Sequence, residues 1–326
     1  MVRIEHELSL VVLTCNRPRD LELSVRSVLS QSILPGELIL VDDGPTDPTS
    51  IQRAVETAGI HFVYHRKERR GISRSRNIGA DLARGELVMY LDDDERMEPG
   101  YIAAILDLFH GESGGTIIAA AGRRLGHIGS EPGRMDPLWH FLERFFLLRS
   151  TDHRILRSGF SSPAWESFTT VTDVEFLSGT ATYRRSLFWH HQFDEDLERF
   201  GSYAFGEDLA FSFKIRAEGR RVVTPRASVR HHRSSTSKPH TAEMARLRLH
   251  NQYYIYSRYL KGNGATPLAF GWALLGKLVL GILRFASHPA IQTWGQFKGT
   301  LSGTVLVMGM ALRGRQVAPE APDRSV

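Results

Sequence analysis

The chain has 326 residues, 42% of them hydrophobic and 24% charged, which fits a globular protein of one large or two modest domains. Its single cysteine, Cys15, excludes a disulfide framework and a four-cysteine zinc site and suits a reducing compartment. The net charge is +5, but from Thr241 onward ten basic residues stand against three acidic ones, a balance that favours an anionic partner.

The first residues are polar, and the apolar run 8–13 is too short for a signal peptide, so a cytoplasmic setting is expected. Residues 8–14, LSLVVLT, read as a central strand. Pro18 then suits a first helical turn, with Leu21, Val25, Val28 and Leu29 at helical spacing. A second strand at 37–41 ends in Asp42-Asp43-Gly44. A helix over 46–59 stops at Gly59, and a third strand follows at 60–65. Ser73 is placed to cap a helix running to Arg84, with Gly85 just past its end. The segment 85–98, GELVMYLDDDERME, is an apolar strand that breaks off into three carboxylates, Asp92, Asp93 and Asp94. A helix at 99–110 and a strand at 116–121 complete a first half of β-α repeats.

Residues 136–149 have the pattern of an amphipathic helix, and 149–172 of a long polar loop that orders around a ligand. A short strand is expected at 174–177, one or two helical turns at 183–189 and an acidic turn at 192–197. A helix opens at Glu207-Asp208. Two last strands, 221–224 and 227–232, are separated by Pro225. After His240 the texture changes. A helix at 242–260 is followed by two apolar runs, 267–283, interrupted by Lys277, and 302–312. The longer is short of the ~20 apolar residues of a comfortable span. Trp272 and Trp294 suit a headgroup boundary, so helices lying on a membrane surface are expected, as against a helical subdomain packed on the core.

In a parallel sheet, ligands bind beyond the carboxyl ends of the strands. Asp42-Asp43 and Asp92-Asp93-Asp94 end two strands and would share one rim, joined by Glu207-Asp208 and by His231 or His232 at the end of a late strand. Such a rim suits a nucleotide: Asp43 accepts from a base or ribose, Arg17, Arg74 and Arg76 face diphosphate charge, and Asp94 holds a divalent ion with His231. Taken singly, each has a plainer reading: a turn, a helix start favoured by the helix dipole, a surface histidine.

The ordered segments LVVLTCNRP, LILVDDGPTD, GISRSRNIGAD, GELVMYLDDDE, FLSGTATYRRS, GEDLAFSFKIRAEG and VRHH resemble the family 2 inverting glycosyltransferases over residues 8–235. The resemblance implies an α/β fold of GT-A type, a doubly wound and mostly parallel sheet over residues 1–240, with 241–326 as a basic, apolar helical extension. It implies that Thr14, Asn16 and Arg17 line the nucleotide, and that Asp43 contacts the base. Arg76 and Asn77 match the pair on the helix before the acidic strand. Asp92 and Asp94 match the outer acids of a D-x-D motif, with Asp93 near the ribose. Asp94 matches the metal ligand, joined by His231, with His232 next to it. Asp208 matches the catalytic base, with Glu207 beside it. The cofactor implied is Mn2+ or Mg2+, and the partners are a nucleotide-sugar donor and a glycan or lipid-linked acceptor. The location implied is the inner face of the cell membrane. The chain lacks the Q-x-x-R-W signature of processive synthases, so addition of one or a few sugars is expected. A sugar nucleotidyltransferase would carry a glycine-rich loop where this chain has TCNRPRD. A binding module without turnover would not need both Asp94 and Asp208. The long apolar runs of the tail disfavour nucleic acid.

Overall fold

The computed structural model of the protein describes residues 2–111, 114–126, 137–150, 154–161, 168–177, 179–201, 204–232 and 242–313. Nine strands form one sheet among the described residues. Three β-α units come first: β1 (Val2–Thr14), α1 (Pro18–Leu29), β2 (Ile33–Asp42), α2 (Thr49–Thr57), β3 (His61–Arg66) and α3 (Ile72–Leu82). Then come β4 (Leu87–Asp92), β5 (Glu95–Met97), α4 (Tyr101–His110), β6 (Ile117–Leu125), α5 (Pro137–Phe145), β7 (Thr172–Asp173), β8 (Ala181–Arg184), α6 (Glu207–Lys214) and β9 (Arg220–His231). Three long helices close the described chain: α7 (Ala242–Ile255), α8 (Pro267–Ser287) and α9 (Ile291–Leu312).

The strand order is β3-β2-β1-β4-β8-β6-β9-β5, with β7 on β9. The first four strands are parallel, so β1, β2 and β4 end on one rim. β8 runs antiparallel to both β4 and β6, and β6 is parallel to β9. Both faces of the sheet are buried, as near-continuous apolar strands require. Leu10, Val12, Met89 and Leu91 belong to one core, while Val11, Leu13, Val88 and Tyr90 belong to the other. The second of these cores runs on without a break into α7, α8 and α9 through Tyr254, Phe270, Leu274 and Val307.

Several local expectations are corrected. Ser73 does not cap α3. The helix starts one residue earlier, and Glu198, 125 positions away, accepts from the Ser73 N–H at 2.6 Å. Gly85 is not a helix stop, since the chain is already extended at Ala83. It is glycine because a Cβ there would meet the Ser9 nitrogen at 2.7 Å. The strand expected at 174–177 is instead β7, two residues earlier, after which the Leu177 N–H donates to Ser212 Oγ at 3.1 Å. Residues 183–189 divide into the end of β8 and a 3-10 turn. The two last strands are one, β9, which keeps pairing with β6 across a bulge at Pro225 where the partner jumps from Thr224 to Ser228. The second apolar tail run belongs to the longer α9. There Gly299 lets the backbones of α9 and α7 touch: a Cβ would meet the Ala242 oxygen at 2.1 Å. The polar loop at 149–172 lies partly outside the described residues, as do the basic positions beyond Arg313.

Candidate active site

The rim is built by the ends of β1, β2 and β4 and by the return of β9. Thr14 ends β1 opposite Asp42, and Leu13 lies opposite Asp92. β5 turns back at once from β4 and pairs with β9 so that Glu95 faces His231. That register brings Asp94 against the end of β9. The His232 N–H donates to the Asp94 carbonyl at 2.7 Å, and His231 Nε2 lies 3.5 Å from Asp94 Oδ1. It is the ring of His231, not that of His232, that meets the carboxylate.

Arg17 knits the first cluster. Its Nη1 lies 3.0 Å from Asp93 Oδ1 and 2.9 Å from Asp94 Oδ2. Asp93 also accepts from Thr14 Oγ1 at 2.8 Å and from the Cys15 N–H at 3.4 Å. Burial pushes the Asp93 carboxyl up to about 6, against the pull of Arg17. Burial acts on Asp94 in the same sense, but the His231 hydrogen bond and the nearby positive charges outweigh it and hold that carboxyl low. Asn16 takes φ +57°, a left-handed turn that asparagine tolerates, and this carries the chain from Thr14 round to Arg17.

Asp43 forms a second cluster. Lys67 Nζ lies 2.7 Å from its Oδ1, the Gly71 N–H donates to Oδ2 at 2.9 Å, and Ser75 Oγ donates at 3.1 Å. Asp42 is fully buried and structural. It accepts from the backbone of Gly44 and Thr46 and from the Tyr64 hydroxyl.

The third cluster surrounds Arg76. Its Nη2 lies 3.4 Å from Asp208 Oδ1, 3.8 Å from Glu207 Oε1 and 3.9 Å from Asp92 Oδ1. The guanidinium stacks over Tyr90 and Phe193, with ring centroids 5.2 and 5.4 Å away. Burial followed by Asp208 raises the Glu207 carboxyl. Burial raises Asp208 too, Arg76 opposing and Asp92 adding to the rise. The Gly179 N–H fixes Asp208 Oδ2 at 3.2 Å.

Thr14, Asn16, Arg17, Asp92, Asp93, Asp94 and His231 therefore lie at one strand-end rim. Asp208 and Glu207 reach it through Arg76, and Asp43 sits on the β2 side. Arg76 occupies surroundings other than the diphosphate-facing ones expected, and Asn77, its neighbour in the matched pair, turns to Phe193. Arg76 is walled in by carboxylates and aromatic rings. Asn77 spends its amide on Phe193, accepting from its N–H at 2.8 Å and donating to its carbonyl at 3.1 Å, and also donates to Glu195. Of Arg74, the backbone N–H is engaged by Glu198. Two residues escaped the sequence reading. Lys67 follows the end of β3, so extending the strand-end rule to HRKERR would have found it. Glu95 is buried against Arg124 at 2.9 Å and accepts from the Thr180 N–H at 3.1 Å, pairings that no local pattern announces.

Asp94 and His231 offer one hard oxygen and one imidazole nitrogen, a pair that suits Mn2+ or Mg2+. Among the described residues no group of three or more His, Cys, Asp or Glu is arranged to hold a metal ion. The protein thus fits a divalent ion through two side chains, and ligand oxygens and water would complete the shell.

Residues 9–160 match the model of glycosyl transferase family 2. This stretch is similar to a glycosyltransferase family 2 domain. The match runs from β1 through α5 and takes in Arg17, Asp43, Arg76 and the β4 acids. A glucosyl-dolichyl phosphate glucuronosyltransferase of Haloferax volcanii is 35% identical over 122 residues, 34% of this chain and 38% of the relative. A GalNAc(5)-diNAcBac-PP-undecaprenol beta-1,3-glucosyltransferase of Campylobacter jejuni is 30% identical over 103 residues, 31% of this chain and 33% of the relative. The chain thus spans about a third to two fifths of the length of these two relatives. A mannosyltransferase from Pyrobaculum calidifontis, solved with GDP-Man and Mn2+, superposes with a TM-score of 0.54 at 16% identity, covering 92% of this chain and 86% of that one. This likeness is one of fold, and the fold is of GT-A type with a helical C-terminal region.

Proposed function

We propose that the protein is a metal-assisted, inverting glycosyltransferase that moves a sugar from a nucleoside-diphosphate donor to a hydroxyl of a lipid-linked or cell-surface glycan. The observation that carries this reading is the gathering of acids from the end of β4 and the start of α6, with His231 at the end of β9, around two arginines at one rim. Asp208 is the base. Held by Gly179 and screened from water, its ionised carboxylate is a better proton acceptor than an exposed one. It takes the proton of the acceptor hydroxyl while that oxygen bonds to the sugar C1. The C1–O bond to the diphosphate breaks in the same step, and its electron pair leaves with the diphosphate. A single displacement inverts C1 and requires no covalent nucleophile. Glu207 and Asp92 share the Arg76 charge with Asp208, which keeps the base from being neutralised by one close partner.

Asp94 and His231 would hold the divalent cation, which when bound offsets charge on the leaving diphosphate. Arg17 adds a positive charge at the same rim. Asp43, fixed by Lys67, Gly71 and Ser75, is a preorganised acceptor for a base or ribose donor, beside Thr14 and Asn16. The printed names of the Haloferax and Campylobacter relatives, which carry dolichyl phosphate and PP-undecaprenol, support a lipid-linked acceptor. The Pyrobaculum complex supports a nucleotide sugar and Mn2+.

The protein works at the cytoplasmic face of a membrane in this reading. α8 is long and apolar enough to cross one by length and composition. Its inner side packs on the core, while Leu275, Ile282 and Leu283, with Val305 and Met308 of α9, are exposed. That two-faced arrangement supports helices lying on the surface.

The test is a panel of UDP-, GDP- and dTDP-sugars with and without Mn2+. One donor is expected to raise the melting temperature with Mn2+ present and, with acceptor, to release a nucleoside diphosphate. Release of pyrophosphate from a nucleoside triphosphate would make the protein a nucleotidyltransferase instead.

A further inference from the structure

Between α5, α7, α8 and α9 lies a cavity of about 500 Å³ that the chemistry above does not use. Its wall includes Phe205 and Gly206, the turn that runs directly into Glu207 and Asp208. Three cations line it: Arg248 of α7, and Lys277 and Arg284 of α8. The acid among the lining residues is Glu143 of α5, which already shares its charge with Arg149 at 3.3 Å. Among the described residues that line it, cations therefore outnumber acids.

Lys277 decides what that charge is for. It interrupts the apolar run of α8 that precedes Arg284, a costly place for an ammonium. Its side chain stays accessible within the cavity, yet the surrounding protein desolvates it and pushes its pKa down, with Glu143 only partly opposing. Among the described residues no carboxylate closes to within 4 Å of it. Its partner is the Phe160 ring, 5.5 Å from the ammonium. A leucine would serve the helix better, unless an anion enters the cavity. The rest of the wall mixes apolar and aromatic side chains, Trp139, Leu280 and Phe297 among them, with the neutral polar Gln252, Gln296 and Thr300, and the outer faces of the same helices expose Phe141, Trp272 and Trp294. A free phosphate has no use for such a wall, whereas a phosphate attached to a hydrocarbon chain does.

The geometry points to an acceptor subsite: this cavity takes the phosphate or diphosphate of an isoprenoid-type lipid carrier. The cations meet the phosphate, and the aromatic wall and exposed helix faces take the chain. This deepens the transferase reading and rests on it, because a carrier held beside Gly206 presents its attached sugar to Asp208.

Titration with farnesyl diphosphate, under saturating UDP, GDP and Mn2+ to fill the donor rim, reads the cavity. The full chain is expected to bind it, with inorganic pyrophosphate and farnesol each at least about tenfold weaker. Lys277→Gln combined with Arg284→Gln is expected to weaken binding by at least about tenfold, the loss of charged hydrogen bonds. Nucleotide titration and circular dichroism should stay unchanged, and Lys277→Arg should retain binding. Undiminished farnesyl diphosphate binding in the double variant, or none in a wild-type protein that still binds nucleotide, overturns the subsite and leaves the transferase reading standing. Pyrophosphate binding as tightly as farnesyl diphosphate overturns the lipid carrier in favour of a free-phosphate site. A wild-type protein that binds no nucleotide overturns the transferase reading, and the subsite with it.

Discussion

Arg17 and Arg76 do the same elementary thing, each placing one guanidinium among carboxylates, yet they sit in different media. The Arg17 side chain is 19% exposed at the end of β1, and its acids, Asp93 and Asp94, have other partners in Thr14 and His231. The Arg76 side chain is 1% exposed and closed in by Tyr90 and Phe193. Among the described residues it is the one cation within 4 Å of Asp92, Glu207 and Asp208. Near water, a ligand or a metal ion can take over part of an arginine's charge. In a dry aromatic box nothing can. The difference implies that Arg17 belongs to binding, whereas Arg76 belongs to the fold and to the electrostatics of the base.

The sharpest way to break this contrast is Arg76→Met. It leaves three partly or wholly buried carboxylates without a counter-charge and should cost about 3–5 kcal/mol, read by chemical denaturation. Arg76→Lys should recover little, because one ammonium on a flexible stem cannot span three acids. An unchanged midpoint for Arg76→Met would end the distinction. Next comes Asp208→Asn, which keeps shape and removes the base. Turnover should fall by about 10²–10⁴ while donor binding and melting temperature hold. Sugar transfer that survives this change would remove Asp208 from its role. Arg17→Gln is expected to be milder for the fold, under about 1 kcal/mol given its exposure. Its effect should appear instead as donor affinity weakened by about tenfold, measured by titration with Mn2+.

The two arginines also mark how far the sequence could be read. The Arg17 side of the rim was legible because it is local. An apolar run ending in TCNRP, another in DDG and a third in DDD announce strand ends, and parallel order puts strand ends together. On the Arg76 side the residues were named but their enclosure was not legible, because the neighbours come from α3, β4 and α6 and meet only through tertiary packing. Arg76 stands in a helix of ordinary composition, with nothing local to say that it faces inward. The same holds for Glu198, which caps α3 from 125 residues away, and for Glu95, whose partners Arg124 and Thr180 come from later strands. Pro225 misled in the opposite sense. Proline usually ends a strand, but a bulge opposite Gly122 and Arg123 absorbs it and β9 continues. In the tail, apolar content was plain from the residues. Which side of α8 faces the core was not, since nearly every position of that helix is apolar and amphipathic periodicity is weak.

The smallest effect is also the most discriminating for the Arg76 cluster. Burial, followed by the charges around it, sets the Asp208 carboxyl above the ordinary carboxylate range, Asp92 pushing it up and Arg76 pulling it down. A base acts in its ionised form, so activity should fall as the pH falls through that raised value. The acid limb of kcat/KM should lie above the range of an exposed aspartate. Asp92→Asn removes a negative neighbour and releases more of the Arg76 charge to the acid pair. Both changes favour the ionised base, so the acid limb should move to lower pH, by less than about one unit for a neighbour that shares the guanidinium only at 3.9 Å. Asp92 ends β4 next to the Asp93 and Asp94 that Arg17 holds, so the same variant asks whether the clusters speak to each other. A shift of the limb with unchanged Mn2+ dependence would assign Asp92 to the base. A fixed limb with weakened Mn2+ dependence would assign it to the cation side and move the boundary between the two arginines by one residue.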